Sequence, residues 1–439
     1  MIPLDGRPRS YENREPAAMD FHNRTQFPKP RRTRGTIKRV SASPVTTRQE
    51  IVRSDTHCGP ALAGFFLTGF LLALLGAILP AWGYHRDPAD FIAVGNCFLS
   101  VAIGVVLATW LGRGLIARRG LRRVMIGACA AACLTLVYLA AASPPASNWW
   151  RIGGLLFLGA CAGALNRALF QAISASYRRD AASTVIRVGI WYGLGCLAAT
   201  LLVFGVFYAY SVATILLFMA AGPAVFVVLY AKATLPAAEQ GEHPPLRQAM
   251  SDFRSPGAVL FALLLFFQFG NEYSIAGWLP LFLIRRLGVS PPGALLLLAF
   301  YWLFLMAGRL LAVPILPRVR HGKLALTSGA IALFGCFVLF FTDNPFGAGC
   351  AVFFLGAGYA SIYPLVLEAI GRRFPYYHPG FFNGIFSVAL FGGLLAPATL
   401  GYAAQYEGVG VVVGIPLLGT FMVIALLLLI WLESKVTGR

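Results

Sequence analysis

The sequence predicts an all-α integral membrane protein with twelve transmembrane helices in two six-helix bundles. Three observations carry this. Of 439 residues, 58% are hydrophobic and 12% charged, whereas soluble domains carry about a quarter charged residues. Between Pro60 and Leu432 apolar runs follow one another with short polar breaks, each near the ~20 residues that a helix needs to cross hydrocarbon. One longer polar segment, residues 231–256, divides these runs six and six. The runs are continuous rather than alternating, which excludes a membrane barrel.

Residues 1–59 hold 12 Lys and Arg and no apolar run, and read as a disordered basic cytoplasmic tail. Spans are expected to start near Ala61, Phe91, Val124, Ile152, Val185 and Val212 in an N-terminal bundle over 60–232. A cytoplasmic linker follows at 233–256. The C-terminal bundle, 257–439, has starts near Gly257, Gly293, Leu324, Gly347, Gly380 and Gly410. With the N-terminus inside, the interior segments after the tail carry seventeen Lys and Arg against four in the exterior loops. This bias puts both termini in the cytoplasm. The net charge of +19 thus belongs to loops beside anionic lipid rather than to nucleic-acid binding. Two bundles of similar length, each with a basic loop after its second span, imply repeats around a midplane substrate site. The expected setting is a multi-pass bacterial inner-membrane protein, in monomeric form.

A charge at bilayer depth costs at least ~2.5–3.5 kcal/mol, so each one inside a span needs a reason. Glu272 is the only acid well inside any span. Gln268, Asn271 and Glu272 share one helix face, a polar patch directed at the bundle interior. Glu272 is either a proton carrier or a structural carboxylate. Gly277 and Pro280 follow it and predict a helix break. Arg167 is expected either to snorkel or to line the cavity and pair with Glu272 or with a substrate carboxylate. Asn166 and Phe170 lie on the neighbouring stripe. Trp191, Tyr359, Tyr363 and Asn383 are further candidates for contacting solute. Arg187 and Arg309 read as structural, the latter with Glu368 as a partner. The eight cysteines are scattered and read as small hydrophobes. Catalytic constellations, metal clusters and cofactor motifs are absent from the sequence.

In GRGLIARRGLRRVMIG, residues Arg118, Gly120, Arg122 and Arg123 match a G-x-x-x-D-R-x-G-R-R loop between the second and third spans. The chain resembles the major facilitator superfamily, in which that loop latches one end-state. Ala117 stands where the family has its acid, so the loop here is either a gating latch or a charged anchor. NEYSIAGWLPLFL, AGRLLAVPIL and FLGACAGALNRALFQAIS are similar to the fucose permease-like branch. The resemblance implies the major facilitator fold, a sugar or related organic solute, alternating access and proton coupling. That branch uses acids in its first and fourth spans; the aligned positions here are Gly76 and Asn166. Coupling by those two positions is therefore ruled out, and uniport stays open beside symport. Two other functions stay open: export of drugs or metabolites, and a non-transporting receptor or scaffold.

Overall fold

Among the described residues, twelve helices long and apolar enough to cross a membrane follow in chain order: Gly59–Ile78, Phe91–Arg119, Leu121–Ala141, Asn148–Ala172, Ser183–Val206, Val212–Lys232, Pro256–Leu287, Pro291–Ala312, His321–Phe341, Pro345–Arg373, Ile385–Glu407 and Val411–Val436. They are numbered here as spans one to twelve. The structure is a computed structural model that describes residues 44–233, 251–315, 318–374 and 384–436. Residues 1–43 of the expected tail, most of the linker, and Asn383 lie outside the described residues.

Most spans start within a few residues of the expected positions, because apolar length and capping agree at their ends. Asp90 caps the second span by accepting from Ala93 N at 2.8 Å, and Asn344 caps the tenth by accepting from Gly347 N at 2.8 Å. Gly120, at φ 79°, ends the second span and starts the third, a conformation open to glycine at little cost. Two expectations need correction, and the tenth span adds a feature that the sequence did not show. The first helix begins at Pro44, so residues 44–59 are helical rather than a disordered tail. Pro44 sits in the first turn, where proline is tolerated, and Pro60 lies inside the helix without ending it. The tenth span is broken at Ala360 and Ser361 into Pro345–Tyr359 and Ile362–Arg373. The seventh, by contrast, runs unbroken through Gly277 and Pro280. Pro280 cannot donate to the Ala276 carbonyl, but residues 274–283 are buried throughout, and the helix continues past it.

The packing pattern repeats between the halves. In the first, span two packs on four, three on four and three on six. In the second, eight packs on ten, nine on ten and nine on twelve. Small residues set these approaches. A Cβ on Gly195 of span five would lie 1.8 Å from Phe66 O of span one. The matching contact in the second half puts a Cβ on Gly392 of span eleven 2.1 Å from Phe266 O of span seven. Without a hydrophobic drive between helices in lipid, such close backbone approach is what holds them together. Gly159 and Gly163 of span four serve the same end against Val101 and Val105 of span two.

Among the described residues the bundles meet mainly along two seams, span two against eleven and span five against eight, which are equivalent under the repeat; span ten also touches span five, and span one touches span seven. At the end remote from the termini the bundles are bonded together. Phe91 N donates to Gln405 Oε1 at 2.9 Å, Tyr402 Oη to Asn96 Oδ1 at 2.6 Å, and Arg285 Nη1 to Asp87 Oδ1 at 2.6 Å.

Candidate functional site

A cavity of about 200 Å³ lies between the bundles. Spans one, two, four and five line it from one side, and seven, eight, ten and eleven from the other. Its walls are mainly apolar, with Phe65, Phe98, Phe170, Phe269 and Phe386 among them. Phe65 and Phe170 meet edge to face with ring centroids 4.9 Å apart. The polar groups on the wall are few: Asn166, Tyr192, Glu272, Tyr273, Trp302, Arg309 and Tyr363.

Among the described residues, Glu272 and Arg309 are the charged side chains on this wall. Arg309 Nη2 lies 3.7 Å from Glu272 Oε2, and the side chains are only 8% and 13% exposed. A pair so poor in water is costly to break, since removing one partner strands the other charge. Gln268 Nε2 donates to Glu272 Oε1 at 2.7 Å. One turn of helix therefore places a neutral donor and a carboxylate on the same face, as their spacing predicts. Arg309 also reaches across the seam, where its Nη1 donates to the Gly189 carbonyl of span five at 2.9 Å. A second cross-seam contact lies beside it, Tyr192 Oη to Tyr273 Oη at 3.2 Å.

The expected partner for Glu272 is corrected by this geometry. Arg167 is buried, but its Nη1 donates to the Thr109 carbonyl of span two at 3.0 Å, and its Cδ packs where a Gly112 Cβ would be. It neither lines the cavity nor meets Glu272. Arg309, expected to pair with Glu368, takes that place. Glu368 instead pairs with Arg372 and with His321, 3.3 Å away at the inner end of the bundle. Arg187 is exposed and bonds Ser183 within its own helix at 3.1 Å.

The other candidates divide by helix face. Asn166, Phe170 and Tyr363 line the cavity. Gln268 is fully buried behind Glu272. Asn271 turns away from the cavity and donates from Nδ2 to Thr420 Oγ1 of span twelve at 3.3 Å. Tyr359 joins the same buried cluster, 2.7 Å from Thr420 Oγ1. Trp191 points outward at 38% exposure, and its neighbour Tyr192 occupies the cavity wall. Sequence reasoning also passed over Arg309 as a site residue. The signal was present, because a buried guanidinium demands an acid and the spans offer a single deep one.

The two positions where the family's acids would stand both face the cavity, as Gly76 and Asn166. At Gly76 a Cβ would lie 2.6 Å from Ala276 O and 3.2 Å from Gly277 Cα. Ala276 O is the carbonyl that Pro280 leaves without its helical donor. Spans one and seven thus touch backbone to backbone here. In the loop after span two, Arg122 Nε donates to Tyr230 O at 3.0 Å, and Nη2 to Ala231 O, tying the third span to the end of the sixth. Arg118 and Arg123 are exposed.

These features agree with comparisons to known proteins. The sequence profile of the Major Facilitator Superfamily matches residues 7–200 and 188–398. An uncharacterized MFS-type transporter of Yersinia pestis is 24% identical over 367 residues, covering 80% of this chain and 89% of that protein. Among solved structures, a D-xylose–proton symporter superposes with TM-score 0.67 at 15% identity, covering 87% of this chain and 97% of its own. The nucleoside transporter NupG gives 0.62 at 16%, with 85% and 100% covered. FucP, a superfamily transporter in its outward conformation, gives 0.59 at 16%, with 85% and 98% covered. At such identities the likeness reports the fold. The profile spans most of the sequence, and the chain belongs to the Major Facilitator Superfamily of membrane transporters.

Proposed function

We propose that this transporter moves a small polar organic solute, a sugar or a related compound, by alternating access, and that Glu272 couples the movement to protons. The observation that carries the reading is a cavity built from both bundles whose charged lining is one carboxylate and one guanidinium. A site shared by two repeats opens to either side when they rock against each other. Glu272 is well placed to exchange a proton, because it lines the cavity while Gln268 and Arg309 hold its two carboxylate oxygens at the wall. Asn166 and the hydroxyls of Tyr192 and Tyr273 supply hydrogen-bonding edges, and the aromatic walls supply flat faces for a ring. The charge bias of the loops supports a cytoplasmic location for both termini, and the bacterial relative favours a bacterial inner membrane as the setting. The largely apolar wall favours a second reading, export of an amphipathic metabolite or drug.

Purified protein in liposomes, offered labelled sugars under an imposed pH gradient, tests the first reading. Glu272→Gln preserves shape and hydrogen bonding but cannot titrate. The variant is expected to exchange solute between the two sides while losing accumulation driven by the gradient. Full concentrative transport by a well-folded Glu272→Gln protein would refute the coupling role. Extrusion of amphipathic dyes, with no sugar uptake, would favour the second reading.

A further inference from the structure

The guanidinium of Arg309 holds two groups at once, on different nitrogens and from different bundles. Its Nη2 faces Glu272 of span seven, within its own bundle. Its Nη1 donates to the Gly189 carbonyl of span five, in the other bundle, at 2.9 Å. The absence of a side chain at Gly189 makes this possible. A Cβ there would lie 2.9 Å from Nη1 and 3.2 Å from both Cδ and Cζ, so the guanidinium rests on bare helix backbone. One turn further along span five, a Cβ on Gly193 would lie 3.6 Å from the Cβ of Met306. The seam between spans five and eight is therefore built around this side chain.

We infer that Arg309 is the positioning residue that transmits the charge of Glu272 to the seam between the two bundles. The inference rests on Glu272 as the proton-exchanging group and adds how its state is felt elsewhere. With Glu272 ionised, the guanidinium is neutralised and stays pinned between the carboxylate and the Gly189 carbonyl. With Glu272 protonated, a buried cation is left with neutral acceptors only, which is strongly unfavourable. The arrangement that buries Arg309 is then disfavoured against one that lets water reach it, and the bond to Gly189 is released. The other titratable groups around Glu272 are Tyr273 on its own span, Tyr301 on span eight, Tyr192 and Cys196 on span five, and Tyr363 on span ten. These are phenols and a thiol, uncharged near neutral pH, so none replaces the lost counter-ion.

The test needs no solute, so its failure is separate from any failure to find one. Spin labels on Ala175→Cys and Lys323→Cys, both exposed positions on opposite bundles at the terminal end, report the distance between bundles. In the native background, Glu272→Gln at neutral pH, or acidification of unmodified protein, is expected to change the ratio of the two distance populations by about ten-fold or more. In Gly189→Ala, where the added methyl lifts the guanidinium off the carbonyl, the same change should fall below about two-fold. Arg309→Lys gives a second readout if Gly189→Ala does not fold. A lysine keeps the charge but lacks the fork that spans two acceptors, and it too should blunt the response. A response to Glu272→Gln of equal size in native, Gly189→Ala and Arg309→Lys proteins would overturn the inference. So would the absence of any response in the native background.

Discussion

Gly76→Ala offers a sharp test of how the bundles close. An added Cβ would sit 2.6 Å from Ala276 O and 3.2 Å from Gly277 Cα, both backbone atoms. Side-chain rotation relieves neither contact. Restoring an ordinary carbon–oxygen separation requires spans one and seven to part by ~0.8 Å locally, and overpacking of this kind costs about 1–3 kcal/mol. The contact joins opposite bundles, so the cost falls on the arrangement in which they are closed there. An arrangement in which they separate at that end is spared it. At 1.4 kcal/mol per factor of ten, the closed population falls by about 5- to 140-fold relative to the alternative. Spin labels at Tyr208, in the turn after span five, and Phe346, in the first turn of span ten, both exposed and on opposite bundles at the end remote from the termini, read this out. The long-distance population should grow in Gly76→Ala and stay at the native level in Gly127→Ala, where an added Cβ meets nothing within 4 Å. A folded Gly76→Ala protein with the native distance distribution would refute the reasoning. The same contact explains why restoring an acid at this position is no simple substitution.

Three further predictions follow from local geometry. Gly120→Ala places a side chain at φ 79° between the second and third spans and should cost about 1–3 kcal/mol, visible as a lower midpoint in thermal unfolding. Asp87→Asn removes an ion pair with Arg285 in which the acid is 82% exposed. It should change stability by less than about 1 kcal/mol, so a large loss of melting temperature would show that this contact is more than a surface pair. A cysteine introduced at residue 240 should resist an impermeant reagent added to intact cells while one at Tyr208 reacts, and the reverse pattern would invert the topology.

The sequence by itself determined the twelve spans, the division six and six, and Glu272 as the one deep acid. These depend on properties that act along a single helix. Apolar length decides whether a segment crosses hydrocarbon, and the cost of burying a charge makes any deep acid conspicuous. The tertiary structure alone decided which side chains meet. It chose Arg309 over Arg167 as the partner of Glu272, Tyr192 over Trp191 as cavity wall, and a cluster with Thr420 for Asn271 and Tyr359. The reason is physical. Lipid tails are as apolar as a packed bundle core, so a span carries little amphipathic signal to separate its lipid, core and cavity faces. The rotation of each helix is set by where its glycines let a neighbouring backbone approach. Gly76 against Ala276 and Gly189 beneath Arg309 depend on residues some two hundred and one hundred and twenty positions away, and spacing within one span does not encode such pairs.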